Sequence, residues 1–281
     1  MNYLEKIGIN KFLKFILIFF INKINLFFLT KKIVFYHVPR SSGTSIKFFF
    51  RKYCGWDSFI ENNSFKTPNK VLEERNNYRK QYILLGHMLY SDLIKNQNDI
   101  FQFTILRNPI NRYLSEYYYN LNFNATKKTK KSNNIIQKKK LNLLEYAELV
   151  KNKNYDNILT RMFSYTAITR MTYTHSKSKI NSNPFETEDY NFDKNLIVTD
   201  DDFKVAIYNL KNINIYILET LNRKHLYKKL NFKIFFDDFW ENKSNRLNII
   251  SEEELKKIKS ICEFDLKIYE YFLNSNFVNK Y

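Results

Sequence analysis

Glycine and proline are scarce, four of each in 281 residues, which excludes collagen-like, linker-like and low-complexity chains and leaves a packed globular protein. Cysteine is scarcer still. Cys54 and Cys262 stand far apart with no C-x-x-C and no Cys/His cluster, so neither a disulfide framework nor a zinc module is expected, and a reducing, cytoplasmic compartment is favoured. Acid is in deficit: 28 Asp and Glu face 46 Lys and Arg, a formal charge of +18, which suits an acidic ligand such as a nucleotide, an anionic glycan, nucleic acid or a membrane surface. No RNA- or DNA-binding motif accompanies that charge, so nucleic acid is not the expected partner. A long uninterrupted apolar run is also missing. Residues 12–29, FLKFILIFFINKINLFFL, are broken by Lys14, Asn22, Lys23 and Asn25, whereas a spanning helix needs about 20 mostly apolar residues and a charge near its middle costs about 2.5 to 3.5 kcal/mol. The segment reads as an amphipathic helix that docks on the domain or lies on a membrane surface, in preference to a single-pass anchor. What the chain has in excess is aromatic: 21 Tyr and 26 Phe suffice for the core of one large α/β domain over residues 31–281, preceded by the apolar segment 1–30.

The chain is organised around residues 32–50, KIVFYHVPRSSGTSIKFFF. Ile33 to Tyr36 form a β-branched and aromatic run of strand length that Pro39 closes near His37 or Val38. Arg40, Ser41, Ser42, Gly43, Thr44 and Ser45 then place a cation, hydroxyls and a permissive glycine where a helix over about 44–53 exposes its unpaired N–H groups. Backbone donors at a helix N-terminus, aided by the helix dipole, hold a phosphate or sulfate. The G-x-x-x-x-G-K-[ST] spacing of a Walker loop is absent.

Further strands are predicted at 81–85, ending in Gly86 and His87, at 101–106, ending in Arg107, and at 213–218. Residues 55–80 read as a loop with a short helix at 70–79. Asn108 as N-cap and Pro109 at the first helical position open a helix to about Asn120. The Lys/Asn-rich stretch 122–140 shows no apolar period and reads as a mobile surface loop. Helices follow at 141–151, 155–168, 201–210, 221–230 and 252–274, the last opened by a capping box of Ser251 and Glu254, and 172–200 is irregular. Alternating strands and helices predict a mostly parallel sheet covered on both faces, with ligands bound beyond the carboxyl ends of the strands, where Arg40, His87 and Arg107 all fall.

HVPRSSGTS (37–45) resembles the 5′-phosphosulfate loop of carbohydrate sulfotransferases related to the heparan sulfate 2-O-sulfotransferases, H-[IV]-P-K-[TS]-[GA]-G-T-S, with Arg40 in place of the lysine. A guanidinium keeps the charge but does not hand on a proton. LRNPINRYLSEYYY (106–119) is similar to the same family's 3′-phosphate element, R-[DN]-P-x-x-R-x-x-S-x-[YF], in which Arg107 and Ser115 are the donors. Gly86 and His87 match its G-H, with the histidine as the base; His37 competes for that role, but the end of a core strand suits a structural, hydrogen-bonded ring. Weaker likenesses are Asp156, Asn157, Thr160 and Arg161 to a D-N-x-x-T-R helix lining the cleft, Glu219 with Thr220 to a T-E pair, and Asn242–Ser244, Asp265 and Tyr269 to a C-terminal loop and helix. They extend the resemblance over about 33–274.

The resemblance implies a three-layer P-loop-like α/β fold and transfer of a sulfuryl group from 3′-phosphoadenosine 5′-phosphosulfate to a carbohydrate hydroxyl, without a metal. Arg40 and residues 41–45 would hold the donor's 5′ end, Arg107 and Ser115 its 3′-phosphate, and His87 would take the acceptor's proton. A nucleotide-dependent kinase and a non-catalytic binder of anionic polymers are the rival readings. The first lacks the Walker lysine and an acidic metal ligand after a strand, and the second rests on charge alone.

Overall fold

The computed structural model describes residues 11–29, 31–55, 59–62, 68, 83–90, 99–121, 136, 139–153, 155–164, 197–233 and 250–275. Five parallel strands form one sheet in the order β2-β3-β1-β4-β5: β1 (Lys32–Tyr36), β2 (Phe59–Asn62), β3 (Ile83–Gly86), β4 (Ile100–Leu106) and β5 (Asn214–Ile217). β1 is central. Its side chains alternate between two cores, as the pleat requires. Ile33 and Phe35 face a layer made of α1 (Lys11–Phe28), α2 (Gly43–Cys54) and α7 (Arg223–Lys229). Val34 and Tyr36 face the opposite layer, made of α3 (Pro109–Leu121), α4 (Leu143–Asn152), α5 (Ile158–Ser164), α6 (Asp200–Leu210), α8 (Glu252–Ile261) and α9 (Glu263–Asn274). Both cysteines are free and buried, Cys54 in the first core and Cys262 in the second. Among the described residues no helix is long and apolar enough to cross a membrane.

The chain leaves β1 through α2 on one face and β4 through α3 on the other. That reversal between adjacent strands opens a crevice at their carboxyl ends, the place where open α/β sheets hold ligands.

Three sequence expectations need correction, and others lie outside the described residues. Residues 59–62 are a strand where a loop was expected; β2 is an edge strand paired only with β3, so FIEN needs no continuous apolar run. The predicted helix at 70–79, most of 172–200 and Asn242–Ser244 lie outside the described residues. Ile136, inside the stretch expected to be a mobile surface loop, is fully buried in the second core, and its carbonyl accepts from Leu141 N–H at 3.1 Å. The single helix expected over 252–274 is two helices broken at Cys262, whose φ/ψ of −132/28° is not helical.

A pair of reciprocal caps explains that break. Asn157, held at φ 44°, accepts through Oδ1 from the N–H groups of Phe264 (2.9 Å) and Asp265 (3.3 Å), and so caps α9. Asp265 in return accepts from Leu159 N–H (3.1 Å) and Thr160 N–H (2.8 Å), and so caps α5. The Thr160 hydroxyl donates to the same carboxylate at 2.8 Å. Each helix start satisfies the orphan donors of the other. Arg161 grips Asp156 through its carboxylate (2.7 Å) and its carbonyl (2.8 Å). Of the polar side chains expected to line a cleft, Asn157 and Thr160 therefore lock α5 to α9, while Asp156 and Arg161 pair with each other.

Candidate active site

In the parallel ladder Tyr36 pairs with Gly86, so His37 and His87 occupy the next position on neighbouring strands. Parallel strands lie about 4.8 Å apart, and the two imidazoles stack with centroids 4.5 Å apart. His37 is sandwiched further by Phe35 at 5.7 Å. Its Nε2 accepts from Gly43 N–H at 3.1 Å, a bond only a lone pair can make. Burial first, then the neighbouring His87, Arg40 and Lys47, holds the His37 pKa well below the ordinary histidine value, which keeps that acceptor in place at neutral pH. Gly43 is required by contact: a Cβ there would sit 2.0 Å from His37 Cε1.

His87 is oriented by the same strand end. Its Nδ1 lies 2.9 Å from the His37 carbonyl oxygen. A carbonyl only accepts, so Nδ1 carries the hydrogen and the neutral ring keeps its lone pair on Nε2. Burial lowers the His87 pKa, partly offset by the His37 carbonyl and the Glu61 carboxylate. A neutral, half-buried imidazole with a fixed tautomer is suited to accept a proton.

The loop after β1 turns tightly, with Ser41 N–H donating to Val38 O at 3.1 Å. Arg40 (φ 64°) and Ser42 (φ 62°) are both in the left-handed region, where a non-glycine residue costs about 1 to 2 kcal/mol. Such strain persists where surrounding structure imposes it and concentrates at functional sites. Ser42 precedes α2 but makes no side-chain cap, so the twelve-residue helix meets the crevice with an N-terminus its own cap residue does not cover. The fully buried Ser41 hydroxyl and the buried Arg40 Nε have no hydrogen-bond partner among the described residues. Buried polar groups without partners are costly and are expected where a ligand completes them. Thr44 is exposed on the first turn of α2, and Ser45 is buried.

β4 runs two residues beyond its last pairing with β1, and this lifts Arg107 above the loop. Its Nη1 donates to the Arg40 carbonyl at 2.9 Å, tying β4 to the loop. Asn108 caps α3 as expected, accepting from Asn111 N–H at 3.2 Å. Arg112, Ser115, Glu116 and Tyr119 lie at i, i+3, i+4 and i+7 and share one face of α3. Tyr119 meets the Arg40 guanidinium, whose Cζ is 4.1 Å from its ring centroid. Arg112 pairs with Glu116 at 3.1 Å, both buried. Burial raises the Glu116 pKa, against the pull of Arg112 and Arg40. Ser115 is buried on this face.

The structure thus brings Arg40, Ser41, Ser42, Gly43, His87 and Arg107 to one strand-end crevice, with Ser115 on the helix face that carries Tyr119. Sequence reasoning missed two participants, Glu61 and Lys47, and matched Glu219 without a role. Glu61, on the unexpected strand β2, pairs with Lys47 of α2 and lies 3.7 Å from Arg51. Lys47 sits one turn past Gly43, a spacing that could have flagged it. Glu219, in the 3-10 turn 218–220 after β5, accepts from Asn108 N–H (3.0 Å) and the Tyr269 hydroxyl (3.2 Å), so it clamps the start of α3 to α9. Among the described residues no group of three His, Cys, Asp or Glu gathers as a metal site would require.

A parallel sheet with a strained, hydroxyl-rich loop feeding a helix start at its switch point defines a P-loop-like three-layer α/β fold. The profile of the Sulfotransferase family matches residues 26–272, nearly the whole chain, and the protein belongs to that family of sulfuryl-transferring enzymes. No curated protein matches the sequence.

Proposed function

We propose that the protein transfers a sulfuryl group from 3′-phosphoadenosine 5′-phosphosulfate to a carbohydrate hydroxyl. The observation that carries the reading is the junction of β1 and α2: a helix start that Ser42 does not cap, beside a buried Ser41 hydroxyl and an Arg40 Nε without partners among the described residues, next to a histidine whose tautomer presents Nε2. The residues present fit the donor. The loop 40–45 would hold its 5′ end, and Arg107 with Ser115 its 3′-phosphate. The bound donor supplies the sulfuryl group on its 5′-phosphate, and everything else falls to the chain. Loop N–H groups and Arg40 would stabilise the negative charge that builds on the departing 5′-phosphate as its oxygen–sulfur bond breaks and the acceptor oxygen bonds to sulfur. His87 Nε2 takes the proton from the acceptor hydroxyl. The carbohydrate acceptor is supported by the likeness of HVPRSSGTS and of Gly86-His87 to the glycan-sulfating enzymes.

Calorimetric titration tests the donor. 3′-Phosphoadenosine 5′-phosphate should bind more tightly than adenosine 5′-phosphate, ATP or an oligonucleotide. Arg107→Ala and Ser115→Ala should each weaken it by about 1.5 to 3 kcal/mol, the worth of a charge-assisted hydrogen bond. Equal affinity with and without the 3′-phosphate would remove this donor from the reading, and preference for ATP would favour a kinase. A screen of sulfuryl transfer over glycans then identifies the acceptor.

A further inference from the structure

The layer of α1, α2 and α7 differs from the rest of the molecule in charge and in what it shows to solvent. Residues 11–55, which include α1, β1 and α2, contain no Asp or Glu, and neither do residues 222–233 around α7. Among the described residues, the acids borne by helices lie on the opposite side of the sheet, on α3, α4, α6, α8 and α9. Lys23, Lys31, Lys224, Lys228, Lys229 and Lys233 are all exposed on or beside the acid-free layer.

Within that layer α1 is held by a narrow stripe. Ile21 and Leu29 enter the core, and Asn25 fixes the register by donating to Tyr53 O (3.2 Å) and accepting from Lys233 N–H (3.1 Å). Asn231 adds a bond to Phe28 O at 2.6 Å. A second stripe, Leu13, Leu17, Phe20, Ile24 and Phe27, repeats at the 4-3-4-3 spacing of one helix face and is exposed along its length. Leu13 is 57 %, Phe20 58 % and Phe27 79 % exposed. Phe28 and, on α2, Phe48 add to the apolar surface. Lysines edge it closely: Lys23 Nζ is 5.4 Å from the Phe19 ring and Lys233 Nζ 5.5 Å from the Phe28 ring.

Apolar surface of this extent on a soluble face marks an interaction site. A helix with a bulky aromatic stripe and lysine flanks is the form that lies in a bilayer interface. A second copy of the chain is the worse occupant, because a twofold contact through α1 would set against each other two sets of helices that carry lysines and no acid of their own. We infer that the α1–α2–α7 layer docks on an anionic lipid bilayer, with the Leu13–Leu17–Phe20–Ile24–Phe27 stripe inserted among the acyl chains and the lysines set against acidic headgroups. α1 then lies along the surface and does not cross it, and the crevice at the N-terminus of α2 is held near the membrane.

Sedimentation of the full chain with phosphatidylcholine vesicles, with and without phosphatidylserine, tests this. Binding should require phosphatidylserine and weaken as salt is added. Phe20→Glu/Phe27→Glu should reduce partitioning at least about tenfold, since two inserted rings are lost. Lys228→Glu/Lys229→Glu should reduce it by about fivefold or more per lysine. Both variants should keep the wild-type circular dichroism and melting temperature, because all four side chains are exposed. Three results would each overturn the inference: no sedimentation with either vesicle, equal binding to neutral vesicles, or a solution dimer that Phe27→Glu dissociates. None of these readouts depends on the sulfuryl-transfer reading.

Discussion

The tautomer of His87 is set by a single atom, the His37 carbonyl oxygen, and that atom is in position because β1 and β3 run parallel and in register. The base form of His87 is the neutral one, and burial lowers its pKa from the ordinary value near 6.5. The rate should therefore hold through neutral pH and fall only as pH drops through that lowered value. Glu61 favours the imidazolium, so Glu61→Gln should move the acid limb to still lower pH. His87→Ala should lower turnover by roughly 10²-fold with little effect on nucleotide affinity. A pH–rate series on one acceptor decides the matter: an acid limb unmoved by Glu61→Gln, or surviving in His87→Ala, removes His87 as the base. Gly43 belongs to the same scale. The Cβ of Gly43→Ala would overlap the His37 ring, break the Gly43–His37 bond and shift the carbonyl that orients His87. Turnover should fall toward that of His87→Ala although His87 is intact, at about 1 to 3 kcal/mol in stability. Unchanged kinetics in Gly43→Ala would show that the His37 ring does not position the site.

At the scale of elements, the caps between α5 and α9 carry much of the second layer's order. Asp265 is fully buried and accepts three hydrogen bonds, and burial raises its pKa against the pull of Arg112 and those donors. Asp265→Ala would orphan two backbone N–H groups and a hydroxyl at about 1 to 3 kcal/mol each, not fully additive. A loss of about 3 kcal/mol or more is expected in urea unfolding. Asn157→Gly separates the cap from the backbone: glycine tolerates φ 44° but cannot cap α9, so a smaller loss of about 1 kcal/mol is expected. If Asp265→Ala costs less than an ordinary surface substitution, the clasp does not hold the helices together. β2 shows the reverse relation between element and site. It is short and lies at an edge, yet it delivers Glu61 to Lys47 and into the field of His87.

Across the whole molecule, two half-buried histidines make folding sensitive to acid. Both have folded pKa values below that of the unfolded chain, so between those values the unfolded state binds more protons. Their contribution is complete above about pH 6.5 and is lost as pH falls below it, with a slope of up to about 2.7 kcal/mol per pH unit for two protons. Glu116 and Asp265, raised by burial, act in the opposite sense. They are common to the wild type and to His87→Gln, so the comparison isolates the histidine. Denaturant unfolding from pH 7.5 downward should show a slope shallower by about one proton in His87→Gln, and equal slopes would mean that His87 is not buried neutral.

The parallel α/β class, β1 with its loop, β3 and β4 with their terminal His87 and Arg107, and the cap of α3 by Asn108 were all legible in the sequence, because each rests on local periodicity, a turn residue or a cap within a few positions. The stacked histidines could not be read there, since stacking needs the register of two strands fifty residues apart. Nor could β2, which is a strand only because β3 offers it an edge. The break at Cys262 depends on Asn157, more than a hundred residues earlier, reaching the N–H groups of α9. The amphipathic character of residues 12–29 was local, whereas the choice of which stripe is buried was made by α2 and by the turn after α7. Each element that its neighbours along the chain can stabilise was thus readable in one dimension. Which side chains from distant elements share a crevice, a cap or a charged face was settled in three, because those free energies exist only once the sheet has assembled.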